Sequence, residues 1–291
     1  MQTLYLGRVA YDEALALQAE LVERRHQGSI ENTLLLLEHP PVLTLGRNAS
    51  RAHILATDEI LAQHGITIHE INRGGDVTYH GPGQLVGYPI FDLRSLTNNA
   101  GGRLGPVDYV RRMEEALIRL CAHYGVHTGR IAGRTGVWTT VAGSESDGKL
   151  TGRELMRQEK KIAAIGVHVS RGITSHGFAF NLTTDLRDFQ WIVPCGIADR
   201  EVTSLEREIP NTAQLPTLPQ LAEAAARYFG QVFGQQVLAL EDGAGGLAAL
   251  RSSVQQVGVP VRVPDEVQRL VNANHAAGQA SDGHTATPVR S

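Results

Sequence analysis

Two kinds of apolar period share the first 240 residues, and their mixture limits the possible folds more than any other feature. Apolar runs of strand length lie at residues 3–6, 33–37, 42–45, 67–71, 77–79, 85–91, 137–140, 161–169 and 177–182. Helical spacing interrupts them at 11–25, where Ala14, Leu17, Leu21 and Val22 form an apolar stripe, and at a short stretch, 57–64, that Thr57 can cap. It returns at 107–124, through Val107, Val110, Met113, Leu117, Cys121 and Tyr124, and at 218–233. Several strands follow one another with no helix between them. That favours an α+β domain of mixed β-sheets with flanking helices over a strictly alternating parallel one.

At 291 residues the chain can bury a core without disulfides. Residues 1–240 read as the folded domain. Residues 142–159, rich in glycine, serine and charge, read as a mobile surface loop inside it. From 241 to 291 the chain becomes a polar extension, in which Val267, Leu270 and Val271 suit one short helix. Its last part, 278–291, has too little apolar surface to offset ordering entropy and is expected to be disordered.

Lys plus Arg is 27 against 30 Asp plus Glu, a formal charge of −3, so no global field favours nucleic acid. No apolar run approaches membrane-spanning length, and the first ten residues lack the basic and apolar regions of a secretory signal. A soluble protein of the reducing cytoplasm is expected.

The densest chemical signal is Arg73-Gly-Gly-Asp-Val-Thr-Tyr-His-Gly-Pro-Gly-Gln84. Glycines there let backbone approach a ligand, and Arg73 suits an acidic or carbonyl oxygen. Two tight turns joining strands explain the same glycines equally well. Dinucleotide binding does not, because the spacing is wrong and no helix follows.

The two cysteines differ in context. Cys121 sits on the apolar stripe of 107–124, as a small hydrophobe would. Cys195 lies in Trp191-Ile-Val-Pro-Cys-Gly-Ile197, held by proline and glycine on a turn, either inert or presented to a substrate. A reactive thiol needs a cationic or basic neighbour. Strand alternation puts Lys161 on the face of Ala163, Ile165, Val167 and Val169, either snorkelling at the strand end or held in a pocket. The small residues Ala163, Ala164 and Gly166 leave room beside it.

Other motifs fail. The run Gly143-Ser-Glu-Ser-Asp-Gly-Lys149 has Leu150 where a phosphate loop needs Ser or Thr. The twelve histidines include no zinc spacing, so no metal is expected. His80 and His176, each followed by glycine, suit hydrogen-bonded site or core positions better than ligation.

Together, the 73–84 motif, Lys161-Ile-Ala-Ala-Ile-Gly-Val167, Ser175-His-Gly-Phe-Ala-Phe-Asn181, and Pro194-Cys-Gly-Ile197 with Val202-Thr-Ser-Leu205 closely resemble the lipoyl(octanoyl) transferase family. The early Glu38-His-Pro-Pro-Val-Leu-Thr-Leu-Gly46 is similar too. The resemblance covers roughly residues 33–205. The 142–159 loop looks longer than the family's usual connection, and the extension past 241 is additional.

The resemblance implies a fold similar to the catalytic domain of biotin and lipoate protein ligases. It implies an acyltransferase that moves octanoyl from octanoyl-acyl carrier protein to a lysine of lipoyl domains, without a cofactor. The acceptors would be lipoyl domains of 2-oxoacid dehydrogenase complexes and the glycine cleavage H protein. Cys195 would be the thioester nucleophile and Lys161 the group that lowers its pKa. Arg73, Gly74, Gly75, Asp76, Val77, Thr78, Tyr79 and His80 would line the substrate, with Ala164, Ile165, Gly166, Gly177, Phe178 and Ala179. Two rivals remain, an ATP-dependent lipoate or biotin ligase and a non-catalytic binder of acyl carrier or lipoyl domains.

Overall fold

The computed structural model describes residues 1–98, 101–140, 159–193 and 201–240, all within one compact unit, Met1–Arg251. Cys195, all but the last residue of the expected 142–159 loop and the whole 241–291 extension lie outside the described residues.

The chain opens with β1 (Gln2–Arg8), α1 (Tyr11–His26), β2 (Thr33–Glu38) and β3 (Val42–Leu45). The short α2 (Asp58–Gln63) follows, then β4 (Thr67–Glu70), β5 (Val77–His80) and β6 (Gln84–Ile90). A long α3 (Pro106–His123) leads to β7 (Thr128–Ile131), β8 (Arg134–Thr139), β9 (Lys161–Ser170) and β10 (Ile173–Asn181). A helical turn at Leu205–Glu208 precedes α4 (Leu218–Phe233) and the two-residue β11 (Leu238–Ala239).

Eight strands form one mixed sheet in the order β11-β1-β2-β6-β10-β9-β8-β7, and β4-β3-β5 form a second. The large sheet is parallel only at its β11-β1-β2 edge and antiparallel beyond it. This is the expected α+β class.

Each long helix has local reasons to form where it does. Pro106 opens α3 at a position whose N–H has no helical acceptor anyway. Its buried Tyr109, Met113, Ala116, Leu117, Leu120 and Cys121 recur at three- and four-residue steps. Val107, expected on that stripe, is instead 71% exposed in the first turn. Thr217 and Gln220 form a reciprocal capping box on α4, and Gly234 ends it in the left-handed region at φ 64°.

Helices α3 and α4 cover one face of the large sheet. Their core takes Leu34 and Leu36 from β2, with Phe178 and Phe180 from β10. Leu35 and Leu37, also buried, alternate to the opposite face. Helix α1 packs against β6 and β10. The small sheet has its own core of Leu43, Leu61, Ile66, Val77, Tyr79 and Ile192. The two sheets meet backbone to backbone where Gly74 N–H donates to Val167 O at 2.9 Å. No helix among the described residues is long and apolar enough to cross a membrane.

Candidate active site

A cleft of about 340 Å³ opens where the small sheet meets the large one. The 73–80 segment supplies Arg73, Gly75, Asp76, Val77, Thr78 and His80 to its lining. Strand β9 supplies Lys161, Ala164, Ile165 and Gly166, and β10 supplies Gly177, Phe178 and Ala179. A larger groove of about 830 Å³ runs between β1 and α4 but holds none of the candidate residues.

Two expected lining residues fall elsewhere. Gly74 is spent on the contact with Val167, leaving Gly75 to face the cleft at φ 91°. Tyr79 alternates to the other side of β5, where its ring meets Phe189 edge-on at 5.6 Å and its hydroxyl donates to Asp188 at 2.5 Å.

Lys161 reaches the cleft by a route that simple alternation misses. Val137 pairs with Ala163, but Trp138 pairs with Lys161, so β9 holds one extra residue at Ile162. A bulge of this kind re-aims the side chain beside it. Lys161 therefore joins Ala164 and Gly166 on the cleft side, while Ala163 stays in the helical core with Ile165, Val167 and Val169 packed against it. The Lys161 ammonium lies 4.7 Å from the centroid of the Trp138 ring. Its backbone is clamped to the segment after Cys195, with Lys161 N–H donating to Glu201 O and Thr203 N–H to Lys161 O, both at 2.9 Å. Before Cys195, Val193 N–H donates to His53 O at 2.8 Å.

Arg73 is buried. Its guanidinium donates to Thr44 O at 2.6 Å, to Thr44 Oγ1 at 2.9 and 3.2 Å, and to Gly74 O at 3.1 Å. Arg73, Arg134 and Lys161 share the lining with Asp76, so the cleft carries net positive charge. Such a field favours a thiolate or an oxyanion. Asp76 accepts from Val77 N–H at 2.7 Å, and its other oxygen lies 2.6 Å from His53 Nδ1.

His80 and His176 are held neutral. Burial pushes His80 down to about 3, helped by the neighbouring His39. Burial likewise takes His176 down to about 4, with Arg73 acting in the same direction. His176 sits at φ 55° and donates from Nε2 to Asn72 Oδ1 at 2.7 Å. Both are hydrogen-bonded and line the cleft.

A buried amide chain explains much of the motif spacing. His80 Nδ1 meets Gln84 Oε1 at 2.8 Å, and Gln84 Nε2 donates to Tyr79 O and to Asn181 Oδ1. Asn181 Nδ2 in turn donates to Thr203 O at 2.9 Å, and Thr203 is bonded to Lys161. Gln84, Asn181 and Thr203 thus position His80 and Lys161 in one frame.

Residues 10–230 match the family model of the lipoyl protein ligase A/B catalytic domain. The chain belongs to this family. Within it, an octanoyltransferase of Acidobacterium capsulatum is 63% identical over 242 residues, 83% of this chain and 93% of that protein. One from Koribacter versatilis is 48% identical over 93% of this chain and 96% of its own. Among solved structures, the bi-partite lipoate protein ligase of Thermoplasma acidophilum matches with a TM-score of 0.59 at 15% identity. It covers 87% of this chain and 92% of that one, a likeness of fold.

The cleft includes residues that spacing alone did not single out, among them Tyr11, Asn48, Arg134 and Thr135. Tyr11 carries a faint signal as the first residue of an amphipathic helix. Arg134 and Thr135 carry none, because a buried carboxylate puts them there. Glu114 on α3 accepts from Arg111 and Arg130 and from Gly136 N–H, fixing the β7–β8 hairpin beside the cleft.

Proposed function

We propose that this cleft transfers an octanoyl group from the thioester of octanoyl-acyl carrier protein to a lysine amine of lipoyl domains, by way of a thioester on Cys195. The acceptors are lipoyl domains of 2-oxoacid dehydrogenase complexes and the glycine cleavage H protein, and the setting is the cytoplasm. Family membership and two relatives bearing the name octanoyltransferase support the reading. The observation that carries it is Lys161 on the cleft wall, with its backbone bonded to residues 201 and 203, just past Cys195 in sequence.

In this mechanism Lys161 holds the proton of Cys195 as an ammonium beside a thiolate. The thiolate attacks the donor carbonyl, and a new C–S bond forms. The tetrahedral intermediate collapses, the donor C–S bond breaks, and the departing thiolate takes the proton from Lys161. A neutral lysine amine then attacks the acyl-enzyme, the C–N bond forms, and the Cys195 C–S bond breaks. The proton lost by nitrogen returns to Lys161, ordinary general acid–base work. Exchange of thioester for amide runs downhill, so ATP has no part in the cycle. The cationic cleft supports each oxyanion.

Intact mass tests the reading. Wild-type protein incubated with octanoyl-acyl carrier protein and no ATP should gain one octanoyl group, and Cys195→Ser should gain none. A lipoyl domain should discharge the adduct. Acceptor modification only with ATP and free octanoic acid would establish a ligase instead, and binding without any adduct would establish a carrier-binding protein.

A further inference from the structure

We infer that His80 and Tyr88 form the subsite that receives the attacking amine, presenting it with hydrogen-bond acceptors alone. The inference rests on the proposed transfer from a Cys195 thioester to a lysine amine, and it concerns which wall of the cleft that amine meets.

The direction of two buried hydrogen-bond chains carries the argument. The first starts at Val9 O, which only accepts. His39 Nδ1 lies 2.8 Å from it and so bears the imidazole proton. Burial holds His39 neutral, pushed down to about 4. His39 Nε2 is then a lone pair, and Tyr88 Oη, 2.7 Å away, donates its only proton to it. What remains on Tyr88 Oη is acceptor capacity.

The second chain is fixed by Tyr79 O, Thr203 O and the amides between them. Gln84 Nε2 spends its donors on Tyr79 O and Asn181 Oδ1, while Asn181 Nδ2 donates to Thr203 O. Gln84 Oε1 must therefore accept from His80 Nδ1–H. With His80 neutral, its Nε2 is again a lone pair. Both residues line the cleft, and the Tyr11 ring stacks over His80 at 6.4 Å and 12°.

A thioester carbonyl has no use for such a wall, because carbonyl oxygen seeks donors. An amine N–H does. The charge around the wall selects the amine's protonation state. Tyr11, His39, His80, Tyr88 and His176 are all neutral at pH 7, and the Arg73 charge acts on Tyr11, His80, Tyr88 and His176 together. Arg134 and Lys161 outnumber Asp76 in the same lining, while Asp12 acts on Tyr11 from the exposed start of α1. An ammonium is repelled there, while a neutral amine keeps its N–H bonds to the wall and its own lone pair for attack.

The half-reactions separate this role from a structural one. Tyr88→Phe removes one acceptor. His80→Asn keeps a donor for Gln84 where Nδ1 stood and removes Nε2. Acyl loading from octanoyl-acyl carrier protein and discharge by a lipoyl domain are timed separately by intact mass, with thermal midpoints recorded. In each variant that folds, discharge should slow at least tenfold more than loading does, with more acyl-enzyme lost to hydrolysis. Loading and discharge falling together, or discharge unchanged in both variants, overturns the inference. Wild-type protein that never loads overturns the thioester reading itself, and this inference with it.

Discussion

The Lys161 ammonium stands 4.7 Å from the centre of the Trp138 ring, across neighbouring strands whose pairing slips by one residue at that point. The slip brings the lysine onto the cleft wall, and the ring gives its charge a face to rest on. A cation over an indole face gains roughly 0.5–2 kcal/mol, depending on its hydration.

Trp138→Phe should therefore keep Lys161 working at reduced efficiency, whereas Trp138→Leu should release it. The measurement is the pH dependence of cysteine alkylation, beside Lys161→Ala. Burial pushes the Cys121 thiol up to about 12, so Cys121 stays silent and the signal belongs to Cys195. The alkylation midpoint should rise in Lys161→Ala and Trp138→Leu and move least in Trp138→Phe. Identical profiles in all four proteins would remove the lysine from thiol activation.

Gly166 is where the 73–75 turn touches β9. A Cβ there would lie 2.8 Å from Gly74 O, closer than atoms pack, and 3.2 Å from Arg73 Cδ, a tight contact. Gly166→Ala must push the turn and its arginine away from the sheet, at an overpacking cost of about 1–3 kcal/mol. The expected result is a lower thermal midpoint together with a raised KM for the acyl donor. An unchanged KM would mean that the turn does not shape donor binding.

His39, His80 and His176 give the fold an acid limit. All three are held neutral by burial, at about 4, 3 and 4, against an ordinary value of 6.5. Below pH 6.5 the unfolded chain takes up protons that the folded one refuses, so stability falls as pH falls. Above it the three add no pH dependence. Near pH 5 each histidine removes about 1 kcal/mol of stability per pH unit, the slope easing toward pH 6.5 and, for His39 and His176, toward pH 4. Urea unfolding of wild type and His176→Asn across pH 7.5 to 4.5 should differ in slope by about one proton, Asn being a residue that tolerates the backbone at φ 55°. Equal slopes would show that His176 does not titrate on unfolding.

Periodicity made the elements legible. Helix α4 runs Leu218–Phe233, as its spacing predicts, and β9 begins at Lys161. Strand β10 begins at Ile173, four residues before its apolar run, because its first half is polar and held by side-chain bonds such as Thr174 Oγ1 to Pro89 O. Face assignments were legible only while alternation stayed regular. The extra residue at Ile162 is an event between two strands, and no single strand's sequence carries it. Chemistry was readable as residue types in motifs, but the direction of each hydrogen bond was not. Gln84 and Asn181 gain meaning only once Tyr79 O and Thr203 O stand beside them.

The bond from Gly74 N–H to Val167 O holds the turn that carries Gly75 against β9, at one edge of the cleft. Two main chains meet there with no side chain between them, so the gap is fixed by the peptide geometry common to every protein. A substitution opens this seam only by forcing the two main chains apart, as a Cβ at Gly166 would. A change in the breadth of chain admitted that leaves this bond intact must come from the other walls, among them the hairpin that carries Arg134.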